Sequence, residues 1–399
     1  MTKQAKLIYN GITDVCRIWV NEIKTIFGDE GVLIFVILLP LAYPVLYSWI
    51  YNNQVVREVP VAVVDNSNTA LSRKFIQMCD ASPDVRVAGY CTNLDNARQM
   101  VGEQQAYGVI YLPQDFDTRI GRMQQSTVSV YCNMGIMLTY KAIFQTVSAV
   151  AAEMNSVIQI SLSGNYTDRE DLITTAPLDI KDVPMFNSTG GYADFILPGV
   201  LALIIQQVLL LGIGLANGTS TERRRYIRLR PILDRPLGLL RIVLAKTMAY
   251  APIAALMIVY VLLVVPRMFG LVQILHGEDM IHFGLPYALA CIFFAMCISY
   301  FFHERESAIL FIVFTSVPLL FMSGISWPGS NIPEFWKAVS YLFPSTFGIQ
   351  GFIKMNTMGA TIDDIKPEGF ALWIQTIVYF LIACVAEYKR IDAPQKVNP

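Results

Sequence analysis

The most prominent pattern in the chain is a pair of long apolar segments separated by a short segment rich in arginine. Residues 192–216 contain one acid near their start and no base. About 25 residues at 1.5 Å per residue suffice to cross a hydrocarbon core about 30 Å thick. Between Glu222 and Lys246 there are eight Lys or Arg residues and two acids. A short basic loop between two spans stays in the cytoplasm, so residues 217–241 are predicted to be cytoplasmic, which orients the other segments.

Further apolar segments have the length and composition of transmembrane helices, and they are predicted at 31–51, 242–265, 283–302, 307–325 and 370–386. With 192–216 they make six spans, so the N-terminal segment and the tail 387–399 are both expected in the cytoplasm. Residues 326–368 combine Trp and Pro with polar residues, and we expect an outer re-entrant hairpin there. The predicted fold class is an α-helical polytopic membrane protein of six transmembrane helices with an inserted α/β extracytoplasmic domain.

The segment 1–30 has the pattern of an amphipathic helix. Apolar residues recur at steps of three and four, and polar residues occupy the other side: Ile8, Ile12, Val15, Trp19, Ile23 and Ile26, against Asn10, Asp14, Arg17, Asn21 and Lys24. This pattern favours an elbow helix lying in the cytoplasmic headgroup layer. The alternative is an ordinary surface helix of a small soluble domain.

Residues 52–191 have the character of a folded polar domain inserted between the first two spans. Four short apolar segments, at 60–64, 85–90, 107–112 and 127–131, alternate with helical patterns. Alternation of strand and helix indicates an α/β unit with one compact sheet, and the topology predicts that this unit is periplasmic. Cys79, Cys91 and Cys132 lie in it, and in an oxidising compartment Cys79 and Cys91 could form a disulfide.

Composition supports a membrane protein and argues against an enzyme. Hydrophobic residues make up 54% of the chain and charged residues 15%, whereas soluble domains have about 25% charged residues. The sequence contains no P-loop, no G-x-S-x-G and no H-E-x-x-H motif. The spacing of His276 and His282 matches no standard zinc pattern. We therefore expect no catalytic residues, no metal site and no cofactor bound by this chain.

Two groups of polar residues remain as candidates for function. Uncharged polar residues interrupt the apolar spans at Gln206, Gln207, Thr315, Ser316 and Gln375. They either join helices through hydrogen bonds or line a translocation path. The arginine-rich loop either determines topology and attracts anionic membrane lipid or docks a partner. Docking is favoured because orientation alone needs only a few bases, and its candidate residues are Glu222, Arg223, Arg224, Arg225, Arg228 and Pro236.

The layout and several short motifs resemble the ABC-2 type permeases, which are the membrane subunits of type V ABC exporters. The motifs are Phe195-Ile-Leu-Pro198-Gly199, Glu222-Arg223, Leu320-Phe-Met-Ser323-Gly324-Ile-Ser-Trp-Pro328, Ile332-Pro333 and Phe343-Pro344-Ser-Thr346. The family commonly continues its inner loop as E-R-E-x-G-T, whereas Arg224-Arg225-Tyr226 stands here. The large insertion is most similar to the subgroup that exports drugs or hydrophobic compounds.

This resemblance implies a permease of the cell inner membrane that pairs with a second copy or a paralogue. Separate ATPase subunits would bind ATP and Mg²⁺ and would act through the elbow helix and the loop 217–241. The hairpin would gate the outer end through Trp327, Pro328, Trp336, Phe343 and Pro344. A periplasmic adaptor and an outer-membrane channel are further expected partners, and nucleic acid is not.

Two other functions compete with transport. The chain could be a membrane receptor or anchor whose inserted domain binds a ligand, in which case deleting residues 52–190 abolishes function and reversing the charge of Arg223–Arg225 does not. An integral-membrane enzyme is disfavoured, because no nucleophile–base pair and no carboxylate pair is apparent in the sequence.

Overall fold

A computed structural model describes residues 3–178, 183, 185–187 and 190–392. Residues 1–2 of the predicted elbow, residues 179–182, 184 and 188–189 of the insertion, and residues 393–399 of the tail lie outside the described residues. The chain forms two compact units. One comprises Met1–Gln54 with Pro184–Pro399, and the other comprises Val55–Val183.

The first unit begins with two helices joined at Asp29. Helix α1 covers Lys3–Gly28 and helix α2 covers Glu30–Ile50. The side chain of Asp29 caps α2 by accepting hydrogen bonds from the amides of Gly31 (3.1 Å) and Val32 (3.3 Å). A wider π turn at Ile34–Leu38 ends two residues before Pro40, which has no N–H to donate.

The second unit is a sheet covered by helices on both faces. Strands β1 to β4 cover Val59–Asp65, Val85–Tyr90, Gly108–Leu112 and Ser129–Cys132, in the order β2-β1-β3-β4. Strand β1 pairs in parallel with β2 and β3, whereas β4 runs antiparallel to β3. The helices are α3 (Ala70–Asp80), α4 (Leu94–Gly102), α5 (Phe116–Gly121), α6 (Met137–Ser163) and α7 (Asp168–Thr175).

The central strand β1 explains why both faces of this sheet are covered. Val61 and Val63 pack with Phe75 of α3 and Ile143 of α6 on one face. Ala62 on the other face packs in a separate cluster with residues of α4. A parallel strand that is buried on both faces consists of a continuous run of apolar residues, and residues 61–64 form such a run.

The cysteines of the second unit are free thiols. Burial, with the negative charge of Asp80, raises the pKa of the Cys79 thiol to about 12. A thiol with such a pKa holds its proton at neutral pH and is a poor nucleophile. Cys79 therefore acts as a small apolar side chain of the sheet core.

The described part of the first unit continues with seven helices of seven residues or more, besides the short helix Arg230–Leu233. They are α8 (Tyr192–Glu222), α9 (Gly238–Met268), α10 (Gly277–Phe301), α11 (Arg305–Met322), α12 (Glu334–Ser340), α13 (Pro344–Met358) and α14 (Lys366–Asp392). Among the described residues, α2, α8, α9, α10, α11 and α14 are long and apolar enough to cross a membrane. The prediction of a helical polytopic protein with six spans is confirmed at this level.

Helix α8 is the centre of the first unit. In its most apolar stretch 83% of the residues are buried, compared with 11% for α11, so α8 forms the core and α11 lies at the periphery. Helices α2, α10, α11 and α13 all pack against α8. Two glycines allow close packing on α8, because a Cβ atom at Gly199 would lie 1.8 Å from Ile325, just after α11, and one at Gly212 would lie 2.3 Å from Val36 of α2.

Helix α8 also runs six residues further than the predicted span. Asn217–Glu222 continue the helix into the segment assigned from sequence to the loop. No Pro interrupts this stretch, and the first left-handed residue after it is Arg224, at φ +50°. At the other end of α8, the amide of Tyr192 donates a 2.9 Å hydrogen bond to the carbonyl of Gln54.

The predicted hairpin 326–368 contains two helices of unequal burial. Helix α12 is largely exposed, whereas the first turn of α13 is buried. The amide of Ser345 in that turn donates a 2.6 Å hydrogen bond to the side-chain oxygen of Gln206 on α8. Gly348 and Gly351 bring α13 close to α10, because Cβ atoms there would lie 2.3 Å from Tyr287 and 2.5 Å from Phe283.

Candidate functional site

A polar cavity of about 670 Å³ lies in the first unit, where the arginine-rich segment meets α1. We call it the basic cleft. Its walls are the second half of α1, the start of α2, the end of α8, residues 223–229, and single residues of α9 and α11. Its charged lining residues are Glu22, Lys24, Asp29, Glu30, Arg223, Arg225, Arg228, Lys246 and Arg305.

The arginine-rich segment folds compactly between α8 and α9. After the left-handed Arg224, a 3-10 turn covers Arg225–Leu229 and a short helix covers Arg230–Leu233. The N-terminal position of Pro231 suits that helix, because the first turn needs no N–H donor there. Gly238 then starts α9 so close to the carbonyl of Ile232 that a Cβ atom would lie 2.0 Å from its oxygen. The segment is therefore an ordered element.

The carboxylate of Asp14 on α1 binds two arginines, one just before α9 and one in the first turn of α9. Asp14 accepts hydrogen bonds from Arg235 (2.8 Å to each oxygen) and from Arg241 (3.2 Å). The side chains of Asp14 and Arg241 are 6% and 12% exposed, so their bond is shielded from water and is stronger than a surface pair, whereas Arg235 is 48% exposed. Ile18, Ile232 and Ile242 pack as an apolar cluster beside them.

A second ion pair ties the corner between α1 and α2 to the start of α11. The guanidinium of Arg305 lies 2.5 Å from Asp29, and the backbone N–H of Arg305 donates to Glu222 of α8 (2.8 Å). Burial opposes ionisation of Asp29, but the hydrogen bonds from Val32 and Arg305 and the charge of Arg305 outweigh it and lower the pKa of the carboxyl. Asp29 is therefore ionised at neutral pH, and the pair is lost only when the pH falls through that lowered pKa.

A buried charge network joins the ends of four spans beside the cleft. Glu387 of α14 binds Lys246 of α9 (2.8 Å) and Arg390 (3.2 Å) through the same oxygen. Arg390 also donates to the carbonyl of Ser299 on α10 (2.7 Å). Asn217 of α8 completes the network, because it donates to the Ser299 hydroxyl (2.8 Å) and accepts from Lys246 (3.3 Å).

This network holds more positive than negative charge. The side chains of Lys246, Glu387 and Arg390 are 7%, 1% and 7% exposed. The second oxygen of Glu387 is buried without a hydrogen-bond partner in the described part of the chain. Two buried cations thus share one anion, and each depends on the others for its stabilisation.

The structure brings most of the predicted coupling residues together. Arg223, Arg225 and Arg228 line the basic cleft, and Glu222 binds the start of α11 at its edge. Arg224 and Pro236 are exposed and do not line it. The assignment of these residues to coupling stays a prediction.

The predicted path residues do not line this cleft. Gln206 and Gln375 are buried, and each uses one polar atom, to bind the Ser345 amide and the Tyr341 carbonyl (2.8 Å). The hydroxyls of Thr315 and Ser316 donate to carbonyls of their own helix, those of Phe311 and Val313, and Gln207 is half-buried.

The predicted gate residues fall into two groups. Trp327, Pro328 and Trp336 are exposed. Phe343 packs edge-on against Phe294 with ring centroids 5.6 Å apart, and Pro344 is buried at the start of α13. Their role in gating also stays a prediction.

Several residues that build this site were not singled out from the sequence. They are Asp14, Asn217, Asp29, Ser299, Arg305, Glu387 and Arg390. The signal in the sequence was the position of charged residues within or next to apolar spans, since a charge at a span end is costly unless it is paired. Lys246, which lies inside the predicted third span, is the clearest example.

Comparison with known proteins identifies one family. A family model described as "ABC-2 family transporter protein" matches residues 31–385. A search of curated proteins finds no match to the chain.

Proposed function

Because the chain belongs to the ABC-2 transporter family and is a multi-pass membrane subunit of an ABC transporter, we propose that it exports a hydrophobic or drug-like substrate. The family implies a partner ATPase, and in this proposal that ATPase is a separate polypeptide that binds ATP and Mg²⁺. The observation that carries the transport part of the proposal is the family match over residues 31–385. The ion pairs that connect α1 and its corner with α2 to Arg235, Arg241 and Arg305 support the part in which an ATPase drives this chain.

The proposed orientation follows from the distribution of basic residues. The arginine-rich segment faces the cytoplasm of a cell with an inner membrane, as do both termini. Residues 55–183 then lie on the opposite side, in the periplasm, where they can meet an adaptor or an outer-membrane channel. Protease treatment of intact spheroplasts tests this orientation, since it should cleave the unit 55–183 and spare residues 223–229. The reverse pattern of cleavage would exclude the whole topology.

Coupling proceeds through two ion-paired contacts of α1 and its corner with α2. The ATPase contacts α1 and the arginine-rich segment at Arg223, Arg224, Arg225 and Arg228, with Glu222 and Pro236 at the ends of the segment. A displacement of α1 reaches α9 through Asp14 and its two arginines. It reaches α11 through Asp29 and Arg305. Salt-bridged contacts of this kind transmit small movements because each pair has a bonded and a broken state.

Neutralising the exposed arginines tests the ATPase contact. We expect Arg223→Gln/Arg224→Gln to reduce the ATPase activity that copurifies with the tagged chain from its own membranes about tenfold, because each exposed base contributes up to about 1 kcal/mol to an ionic contact. The matched control is Arg86→Gln/Arg98→Gln, which removes two exposed bases from the unit 55–183. Equal ATPase activity with both variants would refute the assignment.

The competing receptor function gives a different result in the same strain. It requires that deletion of residues 52–190 abolishes function while charge changes at Arg223–Arg225, including Arg223→Gln/Arg224→Gln, have no effect on it. Loss of efflux of a hydrophobic dye in the arginine variant therefore favours the transporter.

The substrate path is proposed to run between two permease copies, along Gln206, Gln207, Thr315, Ser316 and Gln375. In support, Gln206, Gln207 and Gln375 each keep one buried polar atom without a partner in the described chain. Burial of such atoms in an apolar environment costs free energy. A hydrogen bond to a substrate or to water would recover part of that cost. The hairpin residues Trp327, Pro328, Trp336, Phe343 and Pro344 are proposed to close the outer end.

The exposed face of α11 supports pairing with a second permease. Its outward residues are apolar and lie at helical spacing: Leu310, Val313, Phe314, Val317 and Phe321. Together with the low burial of α11, this face is suited to a homodimer or to a paralogous partner.

Cross-linking tests the pairing. In a Cys16→Ser background, which removes an exposed native thiol, we expect Phe314→Cys to give a disulfide-linked dimer in membranes. Leu256→Cys is the control, because Leu256 on α9 is 71% exposed, similar to Phe314 at 75%. Equal cross-linking at both positions would indicate random collision and contradict the α11 interface.

A further inference from the structure

The basic cleft contains more positive charge than its own carboxylates can balance. Six bases and three acids line it. Asp29 pairs with Arg305, and Lys246 pairs with Glu387. For Lys24, Arg223, Arg225 and Arg228, no ion pair occurs within the described residues. Unpaired cations held around one cavity raise the local concentration of anions and bind them more tightly than isolated surface bases do.

The donors come from two walls that face one space. Lys24 belongs to α1, whereas Arg225 and Arg228 belong to the 3-10 turn opposite it. At the inner end lie Asn217 and Lys246, which are both buried. Arginine side chains suit phosphate oxygens because their planar N–H groups donate in pairs. A volume of about 670 Å³ is of the size that holds a small ligand or a headgroup.

The exposed surface of α1 indicates where such a ligand comes from. Ile12, Val20 and Phe27 are 60%, 40% and 56% exposed and lie on one face of the helix. An amphipathic helix with an exposed apolar face lies in the headgroup layer. The cleft that α1 borders is then at the depth of lipid phosphates.

We propose that the basic cleft is a binding site for the phosphate group of an anionic phospholipid, held between Lys24 on α1 and Arg225 and Arg228 on the arginine-rich segment. The bound phosphate bridges α1 and the arginine-rich segment, which also pack together through Ile18 and Ile232. A free phosphate ion has the same chemistry and is the other source to be distinguished. Arg225 and Arg228 also belong to the proposed coupling segment, and this chain binds the phosphate when no ATPase is present.

The test uses the full-length purified protein without ATPase. It is reconstituted in phosphatidylcholine with phosphatidylglycerol, and the phosphatidylglycerol retained per chain is measured by native mass spectrometry. We expect Lys24→Gln and Arg225→Gln each to weaken retention about fivefold, as one base near the membrane surface contributes about that factor. Lys389→Gln is the matched control for Lys24, because Lys389 is exposed on α14 and does not line the cleft.

A second arm identifies the source of the phosphate. Inorganic phosphate is added to the protein in phosphatidylcholine alone, and the melting temperature is followed. Lipid retention that depends on Lys24 and Arg225 supports the site with lipid as the ligand. A phosphate-induced rise in melting temperature that both variants lose supports it with free phosphate as the ligand. The proposal is overturned if neither effect depends on these residues, or if Lys389→Gln weakens retention as much as Lys24→Gln does. Because no ATPase is present, failure of the coupling proposal leaves this measurement unaffected.

Discussion

Glu387→Gln is expected to lower the melting temperature of the purified protein by about 5–10 °C, because it removes the one carboxylate of a buried charge network. Glu387 is 1% exposed and balances both Lys246 and Arg390. The neutral amide leaves two buried cations without a counter-charge, and breaking a buried ion pair in this way costs about 3–5 kcal/mol. Thermal unfolding in detergent, followed by tryptophan fluorescence, measures the change.

Two further variants separate this effect from a general loss of charge. Glu306→Gln removes an exposed carboxylate at the start of α11 and is expected to change the stability by less than about 0.5 kcal/mol. Lys246→Met in the Glu387→Gln background removes one of the orphaned cations and should recover part of the loss. If Glu387→Gln is as stable as the unaltered protein, the network is not the tie between spans that we describe.

Arg305→Glu is expected to slow transport by about 10- to 100-fold while the ATPase remains bound. Arg305 joins Asp29 of the α1–α2 corner to α11, and its backbone binds Glu222. A glutamate there faces two carboxylates, and loss of a charged hydrogen bond of this kind costs about 1.5–3 kcal/mol, which corresponds to that range of rates. Efflux of a hydrophobic dye and the amount of copurified ATPase are measured on the same membranes.

The exchanged pair provides the control for this prediction. Asp29→Arg/Arg305→Asp restores opposite charges across the corner, although it gives up the cap that Asp29 places on α2. We expect it to recover part of the lost efflux. Slower efflux accompanied by an equal loss of bound ATPase would mean that Arg305 serves docking and not coupling.

Local sequence patterns were sufficient to predict the strands and the long apolar helices of the fold. The four strands of the unit 55–183 begin and end within two residues of apolar segments that are apparent in the sequence. The six spans were recognisable because a length of about 20 apolar residues is a strong signal. The resemblance to ABC-2 permeases, drawn from short motifs such as Phe195–Gly199, is confirmed by the family match.

Local sequence patterns could not predict the contacts of the site, because these contacts join distant parts of the chain. Asp14 meets Arg235 and Arg241, and Asp29 meets Arg305. In the sequence, Asp14 is simply one polar residue on the solvent side of an amphipathic helix, yet in the structure it is buried. The left-handed backbone conformation of Arg224 follows the end of α8, and apolar periodicity does not predict such a conformation.

The hydrogen bond between Gln54 and Tyr192 has a consequence for how this architecture can diversify. The chain leaves the helical bundle after Gln54 and re-enters it at Tyr192, and these two residues are neighbours. We therefore expect that a short glycine bridge between the two residues can replace the segment between them without displacing the helix ends. Gln54 and Tyr192 would then keep their positions while the module between them changes.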